Sequence, residues 1–133
     1  LVDNIILTKK IIEENKETIV SLGMWKKKKL PFLNLKNVKL LWCKSLYPTA
    51  PWEIKEFPKI FSRKSYTGLS DHSIGIELSL IAISRGATII EKHLTLDKSD
   101  TTIRDHALSL TPNEFKQMVD IGKAIYKINK YTN

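Results

Sequence analysis

The chain has 133 residues, 42% of them hydrophobic, enough for one domain with an apolar core and too few for two comfortable ones. Its net charge of +8 is concentrated: residues 24–64 carry 11 Lys or Arg against only Glu53 and Glu56, starting with Lys26-Lys27-Lys28-Lys29. A local basic face of this kind, without the interleaved aromatics of a docking motif, argues against a nucleic-acid partner, and no apolar run reaches the roughly 18 residues of a membrane span.

The first residues read as the interior of a helix, so the chain is expected to be part of a larger domain. Apolar Ile5, Ile6, Ile11 and Ile12 recur at near-helical spacing over residues 5–14, with Asp3 or Asn4 as cap. Thr18-Ile19-Val20-Ser21 is a β-branched run closed by Leu22-Gly23, which predicts a buried strand and a turn. Val38-Lys39-Leu40-Leu41-Trp42-Cys43 is a second strand, ended by the prolines of Tyr47-Pro48-Thr49-Ala50-Pro51. A helix is expected over 52–62, a short strand over 66–70, then an apolar helix over 74–84 stopped by Gly86. Thr88-Ile89-Ile90-Glu91-Lys92-His93 is the fourth strand, followed by a polar loop from Asp97 to Arg104. Thr111, Pro112 and Glu114 form the start signal of a last helix reaching about Lys127.

The strand ends Ser21, Cys43, Ser70 and His93 are 22, 27 and 23 residues apart. That is the spacing of βα units, not of hairpins, and it predicts a parallel sheet with crossover helices. No Gly-x-Gly-x-x-Gly follows the first strand, which counts against a dinucleotide-binding doubly wound sheet. The fold class expected is α/β: four βα units, half of a (β/α)₈ barrel. The lone Cys43 cannot form an internal disulfide and no secretory signal opens the chain, so a cytoplasmic setting is expected.

In such a fold the polar residues just past the strand ends gather on one face. Here they are Ser21 and Gly23, Ser45 and Tyr47, Ser70 with Asp71 and His72, and Glu91 with Lys92 and His93. His72 and His93, on adjacent strands, could share a divalent cation, although a hydrogen-bonded histidine at a strand end is the commoner outcome of such spacing. Asp71 and Glu91 stand just ahead of the histidines and are expected on the opposite face of the sheet. Ser21, Ser45 and Ser70 could donate to an anion, or cap turns.

Long segments carry a resemblance. Ser-Asp-His-Ser-Ile-Gly-Ile-Glu at 70–77 and Gly-Ala-Thr-Ile-Ile-Glu-Lys-His-Leu-Thr-Leu-Asp-Lys at 86–98 resemble the sialic acid synthase family. So do Ser-Leu-Gly-Met at 21–24, Cys-Lys-Ser-Leu-Tyr-Pro at 43–48 and Asp-His-Ala-Leu-Ser-Leu-Thr-Pro at 105–112. The resemblance implies strands 5 to 8 of the synthase barrel, without its antifreeze-like C-terminal domain, in a parent enzyme that is a homodimer. It implies condensation of phosphoenolpyruvate with an amino sugar such as N-acetylmannosamine, and a divalent metal, Mn²⁺ or Mg²⁺, on His72 and His93. By the same resemblance Ser21, Ser45 and Ser70 hold phosphoenolpyruvate, and Tyr47 and Asp105 contact the sugar. Glu91 and Lys92 belong to the motif without a definite role, a buried Glu–Lys pairing being one reading. Leu22, Lys44 and Ile103-Arg104 depart from the family pattern, and the resemblance does not choose among sialic, legionaminic and pseudaminic acid synthesis. The alternative is a non-catalytic remnant or assembly module that keeps the fold.

Overall fold

The computed structural model describes residues 4–23, 25–100 and 102–132. Four strands, β1 (Thr18–Ser21), β2 (Val38–Cys43), β3 (Gly68–Asp71) and β4 (Ile89–Lys92), form one sheet in the order β1-β2-β3-β4. Every pairing is parallel, so the strands curl side by side as half of a (β/α)₈ barrel. Helices α1 (Ile5–Glu13), α2 (Glu77–Ser84) and α3 (Pro112–Thr132) accompany them. No helix among the described residues is long and apolar enough to cross a membrane.

Strand alternation sorts the side chains into two layers. Val20, Leu22, Val38 and Leu40 form one apolar cluster, joined by Ile12 of α1. Leu69, Leu78, Ala82, Ala87 and Phe61 form a second, joined by Trp42 and Ile90. These residues define the helix-covered face. The alternate positions, Ser21, Leu41, Cys43, Ser70 and Glu91, therefore face the inside of the half-barrel. Strand spacing leaves little room at β3, where a Cβ on Gly68 would lie 2.0 Å from the carbonyl oxygen of Ile89.

Local chemistry explains the ends of the elements. Asn4 caps α1, its Oδ1 accepting from Leu7 N at 3.1 Å, while Asp3 lies outside the described residues. Thr111 and Glu114 cap α3 reciprocally: Glu114 Oε2 accepts from Thr111 N at 2.7 Å and Thr111 Oγ1 accepts from Glu114 N at 3.4 Å. The last helix continues five residues beyond the expected Lys127, to Thr132. Asn129 Nδ2 anchors that extra turn by donating to the Ile83 and Ser84 carbonyls at the end of α2.

Two other expectations are corrected. The helix over 52–62 does not form beyond a single 3₁₀ turn at Pro51–Glu53. Pro58 disfavours helical backbone at Phe57, and Glu56 has a φ of 63°. The aromatic rings are used instead as core, with Phe57 5.3 Å from Trp42 and 5.6 Å from Phe61. Helix α2 begins at Glu77 rather than Ile74 because Gly75, at φ 80°, breaks the helical path. Ser73 ahead of it is held in a bridge to Thr49.

Candidate functional site

The register of the sheet sets the rim. Cys43 pairs with Ser70 and Ser70 with Glu91, so these three form one inward-facing row. Ser21 pairs with Leu41 one level deeper. The next level up holds Ser45, His72 and His93, beyond the last ladder positions.

At that level the side chains converge. The His72 and His93 rings meet edge to face, centroids 5.3 Å apart. His72 Nδ1 is 3.5 Å from Cys43 Sγ, and its Nε2 shares a hydrogen bond with the Tyr47 hydroxyl at 3.2 Å. The Tyr47 ring also leans on His72 at 4.4 Å. Cys43 Sγ is 4.0 Å from Ser45 Oγ. Gly23 closes the β1 turn onto this group, since a Cβ there would lie 2.3 Å from Ser45 Oγ. Asp105 comes from the 3₁₀ turn Arg104–His106 and places Oδ2 4.0 Å from His93 Nδ1. The side chain of Arg104 and all of Met24 lie outside the described residues.

The electrostatics favour a neutral His72. Partial burial, and then repulsion from the neighbouring His93 imidazole, hold its imidazole below the ordinary histidine value, against the raising influence of the Lys44 backbone, Glu91 and Asp71. A neutral ring has one lone pair, and both ring nitrogens already face protein partners, Cys43 Sγ and the Tyr47 hydroxyl, so a cation on His72 would displace one of them. Among the described residues no group of three or more His, Cys, Asp or Glu is arranged to hold a metal; His72 and His93 are two imidazoles that stand together.

The structure therefore gathers His72, His93, Tyr47 and Ser45 at the rim, with Asp105 beside His93 and Ser70 one row below. Ser21 is set deepest. Ser70 is 2% exposed, Ser21 is half-buried and Ser45 is exposed, so the three serines do not share one level.

Glu91 lies on the face opposite to the one expected. It stands two positions before His93, pairs with Ser70, and so shares the inner face with the histidines instead of opposing them. Asp71 does take the opposite face. The Glu91–Lys92 pairing does not form: Lys92 turns to Asp71, Nζ to Oδ2 at 3.2 Å, with both side chains fully buried. The period of two, counted from His93, was the signal available for both.

Parallel strands with imidazoles, hydroxyls and carboxylates collected at their C-terminal ends define the functional rim of a (β/α) barrel. The NeuB family profile matches residues 2–132, and the chain belongs to that family. It is 37% identical over 139 residues to the N,N'-diacetyllegionaminic acid synthase of Campylobacter jejuni, covering 95% of this chain and 41% of that protein. It is 38% identical over 120 residues to a pseudaminic acid synthase of the same species, covering 83% and 35%. The crystal structure of N-acetylneuraminic acid synthetase from Leptospira borgpetersenii, a citrate complex, superposes with a TM-score of 0.82 at 32% identity, over 96% of this chain and 47% of that one. The chain thus spans about two fifths of these curated relatives' length.

Proposed function

We infer that this chain forms the cation-binding and part of the anion-binding face of a synthase that joins phosphoenolpyruvate to N-acetylmannosamine or a related amino sugar, releasing phosphate and a sialic-acid-type nonulosonate. The observation that carries the reading is the His72–His93 contact at the ends of adjacent parallel strands. Membership of a family whose relatives are named as legionaminic and pseudaminic acid synthases supports the reaction class.

In this reading His72 and His93 hold a divalent ion, Mn²⁺ or Mg²⁺, whose bound form supplies Lewis acidity toward the sugar aldehyde. The residues of the chain do the rest. Tyr47 fixes the His72 ring through the hydroxyl bond at Nε2, and in this reading its phenol also contacts the sugar. Asp105 stands beside His93, with Oδ2 4.0 Å from Nδ1, and in this reading accepts from a sugar hydroxyl. Ser21, Ser45 and Ser70 present hydroxyl donors to the carboxylate or phosphate of phosphoenolpyruvate, stabilising charge with fixed dipoles. C3 of phosphoenolpyruvate bonds to the aldehyde carbon and water adds at C2; one of its protons goes to the former aldehyde oxygen and the other to phosphate as the C–O bond breaks, leaving C2 as a ketone.

The test is phosphate release from phosphoenolpyruvate and N-acetylmannosamine in the presence of Mn²⁺ by a complete synthase that carries residues 1–133 as one half of its barrel. His72→Ala and His93→Ala are each expected to lose at least ~100-fold in kcat/KM, in line with losing a group that orients the reacting atoms. Residues 1–133 alone are expected to release no phosphate. Wild-type turnover in either histidine variant refutes the site.

A further inference from the structure

The outer face of the sheet, behind the histidines, holds a polar network that the reaction does not use. Asp71 and Lys92 are register partners and the last paired positions of β3 and β4. Each immediately precedes a rim histidine, and each side chain is 0% exposed, Nζ and Oδ2 standing 3.2 Å apart. Lys92 Nζ also donates to the Ser73 carbonyl. Asp71 Oδ1 accepts from Ser73 N at 2.8 Å and Ser73 Oγ at 2.7 Å, and Oδ2 accepts from Ser79 Oγ of α2 at 2.6 Å.

The network grips the backbone on both sides of His72, through Asp71 before it and Ser73 after it. Ser73 is bridged in turn to Thr49, whose carbonyl accepts from Ile74 N at 3.1 Å. His93 is bracketed in the same way, by Lys92 before it and by its own carbonyl, which accepts from Leu110 N at 2.8 Å. Alternation then throws both imidazoles onto the inner face. A buried ion pair is a poor stabiliser compared with an apolar pair of the same volume, and its best-attested use is to fix register. An ion pair spanning the last rung of the ladder, one residue below two converging imidazoles, is suited to that use.

We propose that Asp71 and Lys92 are positioning residues: a cross-strand lock that sets the geometry at which His72 and His93 present their imidazoles to a shared divalent cation. The proposal rests on the cation reading of that pair. Neither residue touches the cation or substrate; both act through the backbone that carries the histidines.

The experiment uses the full-chain protein. Mn²⁺ affinity is read from the free-ion EPR signal for wild type, Lys92→Met, Asp71→Asn and Ser79→Ala. The imidazole–imidazole NOE between His72 and His93 is recorded on metal-free, histidine-labelled protein, and far-UV circular dichroism reports the fold. Lys92→Met is expected to keep its dichroism, lose the NOE and bind Mn²⁺ at least about tenfold more weakly, the scale seen when the supports of metal ligands are removed. A folded Lys92→Met that retains the wild-type NOE overturns the proposal whatever its affinity. If Lys92→Met does not fold, Ser79→Ala carries the test. It deletes one hydroxyl donor to Asp71 and is expected to weaken both the NOE and Mn²⁺ binding, the latter about threefold; an unchanged NOE overturns the proposal there too. Unchanged Mn²⁺ affinity in His72→Ala and His93→Ala would sink the cation reading instead, and the NOE would then decide the positioning role alone.

Discussion

Lys92→Met removes a single ammonium from a site with no exposure, and the structure sets the size of the effect. Asp71 keeps three neutral donors, Ser73 N, Ser73 Oγ and Ser79 Oγ, but loses its buried cationic partner at 3.2 Å. At that separation the gross attraction is about 5 kcal/mol for an effective dielectric constant of about 20, and removing the ammonium also ends its own desolvation cost. The net loss expected is about 3 kcal/mol, at the lower end for breaking a buried pair because the three donors still hold the carboxylate. Asp71→Asn removes the carboxylate charge nearest Lys92, leaving the Ser73 carbonyl and the more distant Glu77, and should cost a similar amount. The double variant removes both charges, so its loss should fall short of the sum by at least ~1 kcal/mol. Urea unfolding of the four proteins, with the midpoints compared at a common slope, measures this. Losses that add to within about 0.5 kcal/mol would show that the two groups do not support each other, and the reasoning about the lock would fail.

Gly68→Ala drives a methyl carbon to 2.0 Å from the Ile89 carbonyl oxygen and 2.8 Å from its carbonyl carbon, backbone atoms that cannot rotate away. The β3–β4 ladder must part locally, and a loss of about 3 kcal/mol is expected in urea unfolding, at the upper end for overpacking. Glu114→Gln should cost about 1 kcal/mol at neutral pH, since the Glu114 carboxylate receives Lys98 Nζ at 2.6 Å and closes the α3 capping box. Those partners, Lys98 first and then the Thr111 backbone, hold its carboxyl below the ordinary glutamate value. Its contribution is therefore present above about pH 4.3 and lost as pH falls through the folded value, so the variant should flatten the acid limb of a thermal-melt series. His72 behaves in the same direction for a different reason. Its folded pKa is lowered by burial and by His93, so on acidification the unfolded chain takes up the proton first. Stability should be full above about pH 6.5 and fall below it, and His72→Gln should remove that part of the slope.

Much of this fold was legible because β1 and β2 are short apolar runs bounded by glycine or proline, and both form over the residues that the pattern marks, 18–21 and 38–43. The start of α3 was equally plain, since Thr111, Pro112 and Glu114 each satisfy a specific backbone need. The helix over 52–62 failed because amphipathic spacing says nothing about where the apolar side chains are wanted. Phe57 and Phe61 are wanted under Trp42, and an extended path past Pro58 delivers them there. The final turn of α3 was missed because its anchor, Asn129 on the α2 carbonyls, is a tertiary contact.

The site shows the same division between what one strand encodes and what two strands create. That His72 and His93 sit at strand ends is written in each βα unit separately. That their rings touch is not, because it depends on the register Ser70↔Glu91 and Asp71↔Lys92, a property of the pair. The same register separates the motif's charged residues by role: Glu91 goes to the inner face beside Ser70, and its charge raises the affinity of His72 for a proton. Lys92 goes to the outer face, where Asp71 is its partner and Glu91 is out of reach. Sequence adjacency suggested a Glu91–Lys92 pair, but neighbours on a strand point apart, so each must find its partner across the ladder. A segment such as Glu-Lys-His is thus two instructions at once: one face of the strand receives Glu91 and His93, and the other receives Lys92, which pairs across the ladder with Asp71.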